Sequence, residues 1–136
     1  MISGIGVDLV DKARFINLVK KFGNKVAIKI LSKDEYLEYK NVSNKPSFLS
    51  KRFAAKEALS KALGVGLYRN GIYPKYISVI HNDLGKPSLS LSSELENIIN
   101  HNMKIQLSIT DSDTQSIAFV VIESWVTSKI ILVIHH

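Results

Sequence analysis

Residues 50–64, with the sequence SKRFAAKEALSKALG, form the most regular helical pattern of this chain. Small apolar residues recur there at helical spacing and predict one apolar face: Ala54, Ala55, Ala58, Leu59, Ala62 and Leu63. Phe53, Glu57 and Lys61 are spaced four residues apart, so they share a stripe beside that face. Gly64 is the residue type that commonly ends a helix. We therefore predict a helix over 50–63 with a buried alanine face and a charged edge.

Outward from this helix, the start of the chain predicts a strand followed by a helix. Residues 2–9 alternate well enough to form a strand, and its Gly4 and Gly6 permit close approach of another backbone. From residue 10 the period changes to that of a helix. Apolar residues at helical spacing then predict an amphipathic helix over 11–22.

Two capping boxes and several short runs predict the remaining elements. Ser32 and Glu35 open a short helix through residue 40, and residues 41–47 are predicted as a loop. Ser93 and Glu96 form a second capping box, which predicts a helix that ends near residue 101. Short strands are predicted over four further ranges: 76–81, 89–91, 104–110 and 116–123. Short sequential strands among helices predict a single α+β domain with a mostly antiparallel sheet.

The composition is that of a globular protein, with 136 residues of which 46% are hydrophobic and 22% charged. The chain has no cysteine, which excludes disulfides, a thiolate nucleophile and zinc sites built on cysteine. Its longest apolar run is six residues, against about 20 for a membrane helix, and its start does not resemble a signal peptide. We therefore expect a cytoplasmic protein without a membrane partner.

Positive charge is concentrated in the first half of the chain. The sequence carries 18 Lys and Arg against 12 Asp and Glu, a formal net charge of +6. Residues 1–61 alone hold 13 basic and six acidic residues. A basic half predicts an anionic partner, which could be nucleic acid, a phosphorylated small molecule or an acidic protein, although a solvated surface gives the same excess.

Several common motifs are incomplete in this sequence. The pattern Gly4-x-Gly6 lacks the third glycine of a dinucleotide fingerprint, and no Walker loop is present. The segment that begins at Asp111 resembles a calcium loop, but its twelfth position is Ile122 rather than glutamate. The histidines are scattered and are interpreted as surface or loop residues: His81, His101, His135 and His136.

The carboxylates Asp8 and Glu57 are the strongest chemical candidates. A carboxylate at a strand end and another on a helix can hold Mg²⁺, which takes waters and substrate phosphates as its other ligands. Lys61, one turn beyond Glu57, can then meet a phosphate, and Arg52 a more distant one. These are the parts that phosphoryl-type transfer requires. The simpler interpretations are that Asp8 caps the next helix and that Glu57 and Lys61 form a solvent-exposed pair.

Two segments together resemble the holo-[acyl-carrier-protein] synthases, the small class of 4'-phosphopantetheinyl transferases. The first is GIGVDLV over 4–10, followed by Arg14, and the second is RFAAKEA over 52–58 with KALG over 61–64. Supporting matches are GKP over 85–87, LSITD over 107–111 and AFVVIE over 118–123. The resemblance covers residues 1–124 and implies a transferase domain there. It leaves 125–136 as a C-terminal extension of unknown role.

The resemblance implies a reaction in support of fatty acid biosynthesis. The 4'-phosphopantetheine arm of coenzyme A moves to a serine of apo acyl carrier protein, and 3',5'-ADP leaves. Asp8, Glu57 and Lys61 are implied as the catalytic residues, with Asp8 and Glu57 holding Mg²⁺, or Mn²⁺ in its place, and Lys61 on the diphosphate. Removal of the serine proton is assigned to Glu57, acting through a metal-bound water.

The resemblance also implies coenzyme contacts and an assembly. The coenzyme contacts carried over are Arg52, Ser60, Lys61, Gly64, Lys86 and Pro87. Asp111 is placed at the same site, where many members have a histidine, so no histidine is available there as a base or a phosphate ligand. Members of the family form trimers with the active site between neighbouring subunits, so a homotrimer is expected.

The acidic carrier protein is expected to dock on the first helix, where four basic and apolar residues form one strip: Arg14, Leu18, Lys21 and Phe22. The same apolar residues could instead belong to the core. A module that binds nucleic acid is the main alternative function, but it would need aromatic residues interleaved with its lysines, which this sequence lacks. A docking protein without chemistry is the second alternative, and it gives no reason for Asp8 and Glu57 together.

Overall fold

The computed structural model describes residues 1–95, 97–99 and 101–125. Its helices and strands in chain order are β1 (Ile2–Asp11), α1 (Lys12–Phe22), α2 (Lys25–Ile30), α3 (Lys33–Tyr39), α4 (Lys45–Ala62), β2 (Ile77–His81), β3 (Pro87–Leu91), β4 (Met103–Asp111) and β5 (Gln115–Ser124). Single turns of 3₁₀ helix cover Pro74–Tyr76 and Ser93–Leu95. The extension predicted over 125–136 lies outside the described residues from residue 126 onward.

The strands form two antiparallel sheets. The first has the order β1-β5-β4, and the second is the β2-β3 hairpin. Helix α4 packs across β1 and β5, and α1 packs against α4. This architecture confirms the predicted α+β class and the antiparallel pairing. Within the described ranges, no helix is both long and apolar enough to cross a membrane.

Helix α4 begins earlier than the sequence pattern predicted. Residues 41–47 were expected to be a loop, but the helix already starts at Lys45. The Asn44 side chain caps it by accepting a hydrogen bond from the backbone N–H of Ser47 at 3.1 Å. Pro46 is compatible with this start because the first turn of a helix has no partner for its N–H groups.

Two other helices also differ from the predictions. Helix α2 was missed because its six residues are too few to show a period, although Val26, Ala27 and Ile30 are buried. The helix predicted from Ser93 is, where described, a single 3₁₀ turn, and Glu96 of its capping box lies outside the described residues. The capping box at Ser32 and Glu35 is confirmed, with both reciprocal hydrogen bonds present.

Two glycines of β1 allow α4 to approach the strand closely. A Cβ atom placed on Gly4 would lie 2.0 Å from the carbonyl oxygen of Ala62, and one on Gly6 would lie 1.9 Å from that of Ala58. Both distances are shorter than any real contact of a Cβ atom. The glycines and the alanine face of α4 therefore create a backbone-to-backbone contact between helix and strand, which sets the distance between their side chains.

A buried ion pair fastens the opposite side of α4. The ammonium of Lys56 is fully buried and donates hydrogen bonds to Glu35 Oε1, to the carbonyl of Ile30 at 2.8 Å and to the carbonyl of Pro74 at 3.0 Å. The other carboxylate oxygen of Glu35 accepts the backbone N–H of Val79 at 2.9 Å. One lysine thus links α4 to α2, to α3 and to the start of the hairpin.

The outer face of the three-stranded sheet is apolar and exposed along β1 and β5. Its exposed residues are Ile5, Val7, Leu9, Ile117 and Phe119. Val7 lies opposite Phe119 and Leu9 opposite Ile117 in the antiparallel register, so these side chains form one continuous patch. A contiguous apolar surface of this kind is typical of an interface.

Candidate active site

Lys61 connects the middle of β1 to α4, because Asp8 lies within this strand and not at its end as the sequence pattern predicted. Its ammonium donates one hydrogen bond to the carbonyl oxygen of Val7 at 3.0 Å and another to Asp8 Oδ1 at 3.1 Å. The Lys61 side chain is 54% exposed, whereas that of Asp8 is 14% exposed. The contact joins residues 53 positions apart in sequence, and the close packing at Gly6 makes it possible.

Glu57 lies one turn before Lys61 on the same helix and is partly buried. Burial raises the pKa of its carboxyl group, and the negative charge of Asp8 raises this pKa further. The positive charges of Lys61 and Arg14 act in the opposite direction. Asp8 and Glu57 are therefore close enough to repel each other, and the structure places Asp8, Glu57 and Lys61 together as the sequence predicted.

A cavity of about 460 Å³ opens beside Glu57 between α1, α2 and α4. It is lined by Arg14, Phe15, Leu18, Phe22, Lys25, Val26, Lys29, Ile30, Phe53, Glu57 and Tyr68. Apolar side chains make most of this lining, and three cations and one carboxylate provide its charged groups. Such a cavity suits a ligand that has both an apolar segment and negative charge.

The residues predicted to dock the carrier protein reach this same cavity, except Lys21. Arg14, Leu18 and Phe22 contribute to the lining, and the Arg14 guanidinium lies 5.0 Å from the ring centre of Phe53. The Lys21 ammonium lies 5.3 Å from the ring centre of Phe22. The first helix and the Glu57 stripe therefore form one connected surface rather than two separate ones.

Two of the predicted coenzyme contacts, Arg52 and Ser60, are buried and already have partners within this chain. Arg52 is buried, with its guanidinium 3.5 Å from the ring centre of Phe48, and it pairs with Glu35 at 4.0 Å and Glu38 at 3.8 Å. Burial lowers the Arg52 pKa, and the two glutamates partly offset this. The hydroxyl of Ser60 is also buried and donates to the carbonyl of Glu57 in its own helix at 2.7 Å.

The other predicted coenzyme contacts lie at the edges of the fold. Gly64 follows α4 in the left-handed region with a φ of 77°, and a Cβ there would meet open space. Lys86 and Pro87 lie where the turn of the β2-β3 hairpin enters β3, and Asn82 caps this turn by accepting the backbone N–H of Lys86 at 2.9 Å. Gly64 and Lys86 are exposed and Pro87 is partly exposed; Lys86 and Pro87 belong to the hairpin of the second sheet, whereas Gly64 follows α4.

Asp111 is held at the far end of β4 by a lysine. The Lys12 ammonium lies 2.8 Å from Asp111 Oδ2, and the Ser47 hydroxyl lies 3.5 Å from the same oxygen. The hydrogen bond from Lys12 is the main reason that the Asp111 pKa is lowered. No pattern in the sequence indicated this ion pair, in which the positive charge of Lys12 offsets the negative charge of Asp111.

Asp8 and Glu57 fit the requirements of a shared divalent cation. Burial is the main reason that the Glu57 pKa is raised, and the negative charge of Asp8 adds to it; a cation bound by both carboxylates would offset this repulsion. In the part of the chain that is described, no three His, Cys, Asp or Glu side chains are grouped to hold a metal. Mg²⁺ is commonly bound through one or two carboxylates, with waters and substrate phosphates completing its ligands.

Comparison with known proteins identifies the family of this chain. Residues 4–121 match the family model of the 4'-phosphopantetheinyl transferase superfamily. The chain belongs to this superfamily. A holo-[acyl-carrier-protein] synthase from Dechloromonas aromatica is 41% identical over 124 residues, which cover 90% of this chain and 98% of that protein.

Solved structures of the family show the same fold. The crystal structure of holo-[acyl-carrier-protein] synthase from Neisseria meningitidis has a TM-score of 0.83 at 40% identity, and the match covers 91% of this chain and all of that one. The synthase from Bacillus anthracis, solved in complex with CoA (3',5'-ADP), has a TM-score of 0.76 at 35% identity. This match covers 92% of the present chain and 99% of the Bacillus anthracis chain. The family resemblance of the sequence is thereby confirmed.

Sequence reasoning missed several residues that this transferase places beside Glu57. Phe15, Lys25, Lys29 and Tyr68 line the cavity, but only the packing of α1 and α2 brings them there. Tyr68 has a left-handed backbone with a φ of 68°, which is uncommon for a residue other than glycine. Its pKa is raised by burial and by the charge of Glu57. No pattern in the sequence indicated this position.

Proposed function

We propose that this chain transfers the 4'-phosphopantetheine arm of coenzyme A to a serine of apo acyl carrier protein and releases 3',5'-ADP. Its membership of the family and the names of its relatives support this reaction. The single observation that carries the assignment to a site is the convergence of Asp8, Glu57 and Lys61, of which Glu57 also lines the cavity between α1, α2 and α4. We also propose a role in fatty acid biosynthesis in the cytoplasm, which the family membership supports.

Each of the three residues has a defined part in this reaction. Asp8 and Glu57 would hold Mg²⁺, or Mn²⁺ in its place, and the bound ion would neutralise charge on the diphosphate of coenzyme A. The Lys61 ammonium binds a diphosphate oxygen. The serine hydroxyl attacks the β-phosphorus, the bond to the bridging oxygen breaks, and that oxygen leaves on 3',5'-ADP.

Glu57 is the proposed acceptor of the serine proton. Its raised pKa brings its basicity nearer to neutral pH than that of an ordinary carboxylate. Asp111 is excluded from this part because Lys12 lowers its pKa and holds it at the end of β4.

Coenzyme A binding is proposed at the C-terminal end of α4 and the tip of the hairpin. The relative from Bacillus anthracis, in complex with CoA (3',5'-ADP), supports a coenzyme site in this fold. Gly64, Lys86 and Pro87 offer accessible groups there. We also keep Arg52, Ser60 and Asp111 as proposed coenzyme contacts. Their polar groups already pair with other groups of this chain, so we expect their contribution to coenzyme binding to be smaller.

The acidic carrier protein is proposed to dock on α1 through Arg14, Leu18, Lys21 and Phe22. Three of these residues line the cavity that also contains Glu57, so a serine carried by a partner on α1 would enter beside the proposed base. The cations of this surface attract an acidic partner, and the apolar side chains supply contact area.

A homotrimer is proposed through the apolar face of β1 and β5. The exposed side chains of Val7 and Phe119 lie opposite each other in the sheet, and a neighbouring subunit would bury them. Light scattering should give about three times the chain mass of 15.2 kDa. Phe119→Glu should dissociate the assembly, whereas Leu37→Glu, on an exposed residue of α3, should not. A strictly monomeric wild-type protein that is fully active would contradict this assembly.

The decisive experiment is intact-mass spectrometry of an apo carrier protein incubated with this protein, coenzyme A and Mg²⁺. The carrier should gain one phosphopantetheine arm. Asp8→Asn and Glu57→Gln should each lower turnover by about three orders of magnitude, or about 4 kcal/mol of transition-state stabilisation. Asp34→Asn, an exposed carboxylate on α3, is the matched control and should stay near wild type. Normal turnover of either site variant at saturating Mg²⁺ would remove the proposed site.

A further inference from the structure

Lys61 makes two different contacts in the middle of β1. Its ammonium binds the Val7 carbonyl, which stays in place whatever the charge state of the site, and Asp8 Oδ1, which is a proposed metal ligand. The Asp8 side chain is fixed on the strand and largely enclosed, while the Lys61 side chain is more than half exposed. The lysine is therefore the movable partner of this pair, with a flexible four-carbon stem.

We propose that Lys61 is a built-in counter-ion of Asp8, which must leave this carboxylate before a divalent cation binds, and that the coenzyme diphosphate holds it in the released position. The inference rests on the proposed function and assigns to Lys61 a positioning role beyond its contact with the diphosphate. The position of the Lys61 side chain would then determine whether the metal binds before or after coenzyme A.

The physical reason is competition for one oxygen atom. An ammonium 3.1 Å from Asp8 Oδ1 uses a lone pair that a metal ion would need at about 2.1 Å. Both cations would also repel each other if they shared this carboxylate. Lys61 offsets part of the repulsion between Asp8 and Glu57. The metal-free site is therefore stabilised, which lowers its affinity for a metal ion.

A coupling between the metal and the coenzyme follows from this competition. The diphosphate offers Lys61 new acceptors, so coenzyme binding frees Asp8 and raises the affinity for the metal. By linkage, the metal must raise the affinity for the coenzyme by the same factor. A lysine that only contacted the diphosphate would weaken coenzyme binding when removed, but it would not improve metal binding.

Calorimetric titration with Mn²⁺, without and with coenzyme A, tests this inference on the whole protein. Without coenzyme, Lys61→Met should bind Mn²⁺ about tenfold more tightly than wild type, a difference of about 1.4 kcal/mol. Coenzyme A should tighten Mn²⁺ binding in both proteins, because its phosphates can also serve as metal ligands, but by about tenfold more in wild type than in Lys61→Met. Lys61→Arg keeps the charge and should resemble wild type. Lys33→Met, which removes an exposed lysine of α3, should also resemble it.

The outcomes separate the two proposals. If Lys61→Met binds Mn²⁺ no more tightly than wild type, while Asp8→Asn abolishes binding, the counter-ion role is wrong and the metal site stands. The counter-ion role is also wrong if coenzyme A tightens Mn²⁺ binding equally in both proteins. If wild type binds no Mn²⁺, or Asp8→Asn leaves binding unchanged, the metal site and the counter-ion role are both overturned.

Discussion

Replacement of Gly6 by alanine tests whether close packing of β1 on α4 creates the site. The new Cβ would lie 1.9 Å from the Ala58 carbonyl oxygen and 2.8 Å from the Ala62 nitrogen. Both are backbone atoms, so no side-chain rotation relieves the clash. Truncation of Ala58 to glycine in the same protein should also fail to restore function, because the obstructing carbonyl remains.

The size of the effect follows from these distances. Real Cβ contacts do not fall below 3.0 Å, so α4 must move away from β1 by at least about 1 Å. Overpacking of this kind costs about 1–3 kcal/mol, which lowers the Tm of a domain of this size by about 4–12 °C. A displacement of 1 Å at a catalytic group costs about 100-fold in rate. Lys61 and Glu57 move with α4, so we expect kcat to fall by about that factor.

Transfer to the carrier protein should be followed by intact mass at a temperature well below the Tm of both proteins, and Tm by circular dichroism. Gly66→Ala is the matched control, because a Cβ there meets only the Arg69 side chain at an ordinary 3.5 Å. A Gly6→Ala protein with wild-type Tm and wild-type kcat would refute the argument. A lower Tm with unchanged kcat would show that the contact stabilises the fold but does not set the catalytic geometry.

Three further variants test other parts of the structure. Lys56→Met leaves the buried Glu35 carboxylate without its ammonium, so the free energy of unfolding in urea should fall by about 3–5 kcal/mol; an unchanged midpoint would contradict this. Glu57→Gln should be more stable than wild type at pH 8, by less than about 1 kcal/mol. The pKa of Glu57 is raised in the folded protein, so the wild-type protein loses stability as the pH rises and Glu57 becomes charged, whereas glutamine stays neutral. The difference in Tm should disappear below about pH 4, where Glu57 is protonated in both folded and unfolded states. Lys21→Glu should raise KM for the carrier protein more at low salt than at high salt, with KM for coenzyme A unchanged; equal changes in both would place Lys21 elsewhere.

The sequence by itself determined the parts of this fold that depend on local spacing. The alanine face of α4, the capping box at Ser32 and the alternation of β1 are periodic or short-range patterns, and the structure confirms each of them. The pairing of a strand-end aspartate with a Lys-Glu-Ala helix indicated the family before any contact was known. A six-residue helix such as α2 has no full period to detect, so it was missed.

Only the tertiary structure decided which of the candidate residues meet. The spacing along α4 shows that Glu57 and Lys61 lie on one side of the helix. It does not show that Lys61 contacts Asp8, which lies 53 positions earlier in the sequence. On the same helix, Arg52 pairs with Glu35 and Ser60 donates to a carbonyl of its own helix, whereas Lys61 contacts Asp8. Neighbouring residues of one motif therefore have different partners. The reason is physical. A period states which side chains share a face, whereas the packing of that face, here through the two glycines of β1, selects the groups across from it.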